Sequence, residues 1–319
     1  MDGTKRSAWI WVIGSALIAG LTLGDEAVAG PYTGLIVFGD SLSDVGNTYA
    51  AAGMPPAPYY GGRYSNGPIW VEYLAQKLGI AAPTPSYLGG TDYAWGFAQS
   101  SGGFTYPPEA GGAGVPNLLT QIGGFVQAGG TLDSTKLVSI WAGANDFLNN
   151  GVTDYNQVAD NIVTAITSLA AVGGTQFLVG GLPLLGTLPA TLSQPPQVQA
   201  LLNQLTLAFN MTLEAKLQAL EMSHPSLHIF FNDVNSEFQK IVADPSVYGL
   251  TNVTGSALAD GVYDGKGYLF WDGVHPTTAV HELIAQMAFQ EVVPEPSSLV
   301  LAAISGVTVL VASRLRRAA

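Results

Sequence analysis

The chain has 319 residues, 48% of them apolar and only 11% charged, which is enough for a large core and allows one large domain or two. Its net charge of −12 argues against a nucleic-acid partner, which needs a basic surface. It has no cysteines, which excludes disulfides, thiolate metal sites and a cysteine nucleophile, and its Gly and Pro show no three-residue period, so it is not collagen-like.

At the N-terminus, Lys5 and Arg6 precede an apolar run over 9–23, followed by Ala27-Val28-Ala29. A basic start, an apolar stretch and small residues at a cleavage position are the parts of a secretory signal peptide. Residues 1–29 are expected to be removed and Gly30 to begin the mature protein. The body then runs over 30–292 without linker, repeat or charge run and reads as one domain.

Within it, apolar runs at 35–38, 137–141, 177–179 and 227–231 are continuous rather than alternating. That pattern predicts strands buried on both faces, as in a parallel sheet. Helical patterns lie between and after them. Ile162, Ala165, Ile166 and Leu169 recur at helical spacing before Gly173-Gly174. A longer helix spans 197–221, with Leu201, Leu205, Ala208, Leu213, Leu217 and Leu220 as its buried stripe, and a third spans 277–291. Strands alternating with helices predict an α/β fold, a three-layer α/β/α sandwich around a mainly parallel sheet. Such folds gather their sites at the carboxyl ends of the strands. The Gly- and Pro-rich stretches 100–116 and 181–196 read as loops that rim a pocket.

Three strings carry the chemistry. Ser41 follows the first strand in Phe38-Gly39-Asp40-Ser41-Leu42-Ser43-Asp44, which continues to Gly46-Asn47. Gly143-Ala144-Asn145-Asp146 follows the second. Asp272 and His275 share one turn in Asp272-Gly273-Val274-His275-Pro276. A serine hydroxyl is a poor nucleophile at neutral pH, so it needs a base within hydrogen-bond reach and a carboxylate to orient that base. Ser41, His275 and Asp272 supply all three. Asp40, Asp44 and Asn47 read as turn residues around the nucleophile and Asp146 as a loop-orienting residue. His224, His228 and His281 show no metal-ligand spacing, and no cofactor fingerprint is present.

In their order these strings resemble the blocks of the GDSL, or SGNH, hydrolases, and the resemblance covers nearly the whole body. The string over 61–68, Gly-Gly-Arg-Tyr-Ser-Asn-Gly-Pro, followed by Trp70, is similar to a segment of the bacterial, lipase-like branch. The resemblance implies a flavodoxin-like sheet and a metal-independent serine esterase or lipase. Ser41 would attack the ester carbonyl, His275 would act as general base and Asp272 would orient it. The oxyanion hole would be the Ser41 N–H, the Gly96 region and the Asn145 side chain. The block around Gly96, Asp92-Tyr93-Ala94-Trp95-Gly96-Phe97-Ala98, departs from the family's N-[YF]-A-x-G-G-A. Asp92 stands for Asn and Phe97 for the second glycine, which leaves the donating amide open and places Phe97 where it narrows the pocket. Two alternatives remain open here: a deacetylase of exopolysaccharide, and a matrix or surface protein that binds glycan on the same scaffold without turnover.

At the C-terminus, Val293-Pro294-Glu295-Pro296 precedes an apolar segment over 299–312 and then Arg314, Arg316 and Arg317. The segment is somewhat short against the ~20 residues of a spanning helix, and the arginines belong on the cytoplasmic side. The layout over 293–319 resembles the PEP-CTERM sorting signal of Gram-negative bacteria; a plain membrane anchor is the alternative. The resemblance implies export, processing by signal peptidase and an exosortase, a transient stay in the inner membrane as a transmembrane helix, and release to the outer surface or extracellular matrix.

Overall fold

The computed structural model of the protein describes residues 32–293. In chain order the elements are β1 (Gly34–Gly39), α1 (Asn47–Ala52), α2 (Trp70–Leu78), β2 (Phe104–Thr105), β3 (Val115–Pro116), α3 (Leu118–Gln127), β4 (Lys136–Trp141), α4 (Ala144–Leu148) and α5 (Tyr155–Ala170). They continue with β5 (Gln176–Gly180), α6 (Pro189–Leu192), α7 (Pro196–Ser223), β6 (His228–Asn232), α8 (Val234–Ala243), β7 (Asn252–Ser256), β8 (Tyr268–Phe270) and α9 (Thr278–Val292). Among the described residues no helix is long and apolar enough to cross a membrane. The apolar segments over 9–23 and 299–312, to which the expected leader, sorting signal and transmembrane helix belong, lie outside the described residues.

The central sheet has the order β1-β4-β5-β6, all parallel. Val37, Phe38, Leu137, Val138, Ile140, Phe177, Leu178 and Val179 are all buried, on both faces of the pleat. Helices cover both faces, which explains why these runs are continuous rather than alternating. Helices α2 and α9 pack together on one face; α3, α5 and α7 form the other layer. The expected three-layer α/β/α sandwich is the fold observed.

The α5 helix stops where the glycines announce it: the Gly173 and Gly174 N–H groups close back on the carbonyls of Ala170 and Leu169. Helix α7 differs from its expected stripe. Leu201 is 47% exposed, and the buried line runs Leu202, Leu205, Phe209, Leu213 and Leu217, with Thr206 and Asn210 in it. Those polar residues are buried because they fasten the loop after β5. Asn210 both accepts from the Leu182 N–H (2.9 Å) and donates to the Leu182 carbonyl (2.8 Å), and the Leu185 N–H donates to Thr206 Oγ1. A buried carboxamide bonded at both its oxygen and its nitrogen in this way holds a loop in one conformation. That loop walls the site.

Candidate active site

Ser41 sits two residues past the end of β1. Gly39 makes this turn possible: its φ is +150°, and a Cβ there would lie 2.2 Å from the Trp141 carbonyl oxygen of the neighbouring strand. The Gln121 side chain accepts from the Gly39 N–H (3.0 Å) and donates to the Gly39 carbonyl (2.8 Å), so the strand end is held from both sides. Beyond it, Asp44 is fully buried and accepts from the N–H groups of Gly46, Asn47, Thr48 and Gly96. Burial pushes its carboxyl up while those donors pull it down, the net direction being up. Asp44 and Asn47 are turn residues, as their sequence position suggested.

His275 and Asp272 arrive from the loop between β8 and α9. His275 Nε2 lies 2.8 Å from Ser41 Oγ, and its Nδ1 lies 2.7 Å from Asp272 Oδ2. The Val274 and His275 N–H groups donate to Asp272 Oδ1 at 2.8 and 2.7 Å, and the Tyr59 hydroxyl donates to Oδ2 at 2.8 Å. An ionised carboxylate offers about four acceptor positions, and four donors occupy them. Burial raises the Asp272 pKa, but the charge and hydrogen bond of His275 and the two backbone donors outweigh it and hold the group at about 2. An acceptor-only Asp272 requires the imidazole proton on Nδ1, which leaves the Nε2 lone pair facing the serine hydroxyl.

The string over 61–68 braces this loop. Ser65 Oγ donates to the Pro276 carbonyl at 2.9 Å, Asn66 Oδ1 accepts from the Thr278 N–H at 2.9 Å, and Arg63 pairs with Glu72 at the start of α2 at 2.8 Å. The ring of Tyr64 lies 5.1 Å, centroid to centroid, from that of His275. Sequence reasoning missed the contacts that Tyr59 and Tyr64 make with the site. Their only signal was place in the chain, Tyr64 within the 61–68 string and Tyr59 two residues before it, and a tyrosine's partner hundreds of residues away has no local signature.

Asn145 stands at the start of α4, where its Nδ2 donates to the Ala98 carbonyl at 2.9 Å and its Oδ1 accepts from Asn149 at 2.7 Å. These two bonds fix which end of the carboxamide is the donor, and one Nδ2 hydrogen remains beyond the Ala98 bond. Asp146 accepts from the Ser100 N–H and hydroxyl at 2.9 and 2.7 Å, so it orients the 95–101 loop, as read from sequence.

Gly96 is corrected. Its N–H donates to Asp44 Oδ2 (2.9 Å) and Thr48 Oγ1 (2.8 Å), so it is committed to the turn and not available to an oxyanion. It must be glycine because a Cβ would lie 2.2 Å from the Tyr64 hydroxyl. The next residue, Phe97, has φ +68°, a left-handed conformation uncommon for an aromatic residue and found at functional sites. Its amide has no acceptor among the described residues, and its side chain lines the pocket.

That pocket is a cavity of about 180 Å³ with Ser41, His275, Asn145 and Phe97 in its wall and Leu148, Leu185, Leu188 and Phe238 behind them. The 181–196 loop rims it, as expected. The 100–116 loop does not; part of it instead pairs as the β2–β3 hairpin. Asp40 also lines the cavity. It is buried, accepts from the Leu42 N–H at 3.0 Å, and its Oδ2 has no partner among the described residues. Burial lifts its pKa to about 7.

A serine held against an imidazole at a strand's carboxyl end, over an apolar cavity, belongs to a serine hydrolase acting on ester bonds. The chain belongs to the GDSL-like lipase/acylhydrolase family, whose model matches residues 35–287. It is 30% identical to a GDSL esterase/lipase of Arabidopsis thaliana, over 80% of this chain and 81% of that one. It is 27% identical to a phosphatidylcholine-sterol acyltransferase of Aeromonas hydrophila, over 81% of this chain and 89% of that one. The inhibitor-bound aryl esterase of M. smegmatis aligns with 81% of this chain and 97% of its own, at 19% identity and a TM-score of 0.46.

Proposed function

We propose that the protein is an exported serine esterase or lipase in which Ser41, His275 and Asp272 act as nucleophile, general base and orienting carboxylate. The observation that carries this reading is the continuous hydrogen-bonded chain from Ser41 Oγ through His275 to Asp272, at 2.8 and 2.7 Å. In the first half-reaction, Ser41 Oγ bonds to the ester carbonyl carbon as His275 Nε2 takes its proton. The carbonyl π pair moves onto oxygen. The tetrahedral intermediate then expels the alcohol, which receives the proton from His275, and leaves an acyl-Ser41. Water, deprotonated by the same nitrogen, releases the carboxylic acid and restores the serine. Asp272 stays ionised throughout and stabilises the imidazolium.

The oxyanion is received by the N–H groups of Ser41 and Phe97 and by Asn145 Nδ2. Neither backbone amide has another acceptor among the described residues, and Asn145 lines the same cavity. Ser41→Ala abolishes hydrolysis of a short-chain nitrophenyl ester by several orders of magnitude while thermal unfolding is unchanged. Wild-type turnover in that variant would refute the mechanism and favour a role in binding.

The basic, apolar and Ala-x-Ala parts of residues 1–29 support secretion, with removal by signal peptidase. Pro294-Glu295-Pro296, the apolar segment and the terminal arginines support a PEP-CTERM tail over 293–319. On this reading an exosortase of a Gram-negative bacterium removes the tail from the inner membrane, and the 30–292 body is delivered to the outer surface or matrix.

A further inference from the structure

The catalytic cavity has a neighbour across its back wall. A second cavity, of about 410 Å³, lies beyond Leu188 and Phe238. Pro183, Leu188 and Phe238 line both spaces. The distal cavity is built from three parts of the chain: the loop after β5, the surface of β7 and β8 at Val253 and Phe270, and one face of α8. On α8 the lining positions are Asn235, Phe238, Gln239, Val242 and Ala243, spaced i, i+3, i+4, i+7 and i+8, which share one side of a helix. Carbon side chains dominate the wall, and no charged side chain among the described residues lines it. Its outer edge carries Leu192 and Val242, which are 40% and 50% exposed.

We propose that the distal cavity holds the far end of a long acyl chain whose carbonyl lies at Ser41, and that the preferred substrate is a long-chain carboxylic ester. Leu188 and Phe238 form the waist between the two spaces. The proposal rests on the ester-hydrolase reading and names its substrate class. Removal of an acetyl group needs no apolar space beyond the carbonyl, whereas here the larger cavity is the one farther from the nucleophile. A glycan chain would call for a wall dense in hydrogen-bonding groups, and here Thr187, Asn235, Gln239 and Thr254 are the polar side chains among mostly apolar ones. An acyl chain needs only carbon contact and exclusion of water. Each methylene it buries contributes roughly fourfold to binding. Contact made far from the reacting atoms appears in kcat/KM. Partly exposed apolar residues at the outer edge suit the entry of such a chain.

The test is the acyl-length profile of the full chain on nitrophenyl acetate, butyrate, decanoate and laurate in monomeric solution, with an acetylated polysaccharide in parallel. Val242→Trp and Gln239→Trp are the informative variants. Both positions are exposed on α8 and line the distal cavity, so an indole there fills the space without burdening the core. In the wild type, kcat/KM rises at least tenfold from acetate to decanoate. In both variants this rise is lost, with acetate hydrolysis within about twofold of wild type. Rates that decline with chain length, a profile unaltered by either indole, or acetylated polysaccharide as the best substrate would each overturn the proposal while the hydrolase reading stands. Absence of Ser41-dependent hydrolysis for every ester would overturn both.

Discussion

Asp40 and Asp272 both feel the charge of His275, and their affinities for a proton move in opposite directions. Burial is the largest influence on each. Asp272 has four donors to offset it and stays near 2, whereas Asp40 has the Leu42 N–H alone and rises to about 7. A carboxyl whose folded pKa is raised contributes its full stability below its unfolded value, near 4, and loses that contribution as pH rises towards 7. Asp40→Asn keeps an acceptor for Leu42 and removes the titration. Its stability relative to wild type should increase between about pH 4 and 7, by at most ~4 kcal/mol, and be level above. Urea unfolding of both proteins across that range checks this, and a difference independent of pH would show that Asp40 does not titrate there. Asn145 offers a second residue-scale test. Asn145→Ala lowers kcat by roughly 10²–10³-fold, the usual effect of losing one oxyanion donor, with little change in KM. A variant with raised KM and normal kcat would place Asn145 in substrate binding instead.

At the scale of elements, the site depends on how two loops are tied together. The turn after β1 and the loop over 92–98 share two buried carboxylates. Asp44 accepts from the Gly96 N–H, and Asp92 accepts from Val45 (2.7 Å) and Ala94 (2.9 Å). Burial raises Asp92 well above an ordinary aspartate, with the charge of Asp44 adding to the effect. Asp92 therefore ties the two loops together through backbone donors. Gly96 is the tightest point of the arrangement, under the Tyr64 ring. Gly96→Ala forces Tyr64 away from its place beside His275. An overpacked site typically loses about 1–3 kcal/mol, and activity should fall with it. Thermal unfolding and kcat/KM measured together check the coupling; wild-type values for both would mean that the loop yields without disturbing the histidine.

On the scale of the whole molecule, the body closes on itself. The buried Tyr32 hydroxyl donates to the Val292 carbonyl at the end of α9, 3.3 Å away, so the first and last described turns meet. None of the proposed catalytic residues lies in 1–29 or 293–319. A chain of residues 30–292 should therefore match the full-length protein in kcat/KM and differ only in location. Mass spectrometry of protein from the outer surface of an exosortase-bearing host checks the processing. Peptides from 299–317 in that fraction would refute tail removal and leave the hydrolase standing.

The amino-acid sequence by itself determined the layers of this protein and picked out the three residues proposed to carry its chemistry. Strands buried on both faces are written as continuous apolar runs, and Ser41, Asp272 and His275 sit in short strings whose chemistry is local. Tertiary structure alone decided what long-range packing controls. Leu201 turned outward and Asn210 inward because α7 must fasten the loop after β5. The Gly96 amide was taken by Asp44, which leaves Phe97 at the cavity. Tyr59 reached Asp272 across more than two hundred residues of chain. The distal cavity appeared only where α8, the loop after β5 and the β7–β8 pair converge. Periodicity and motif report what a residue prefers in its own segment. Which donor meets which acceptor, and which spaces remain unfilled, is set only when distant segments pack.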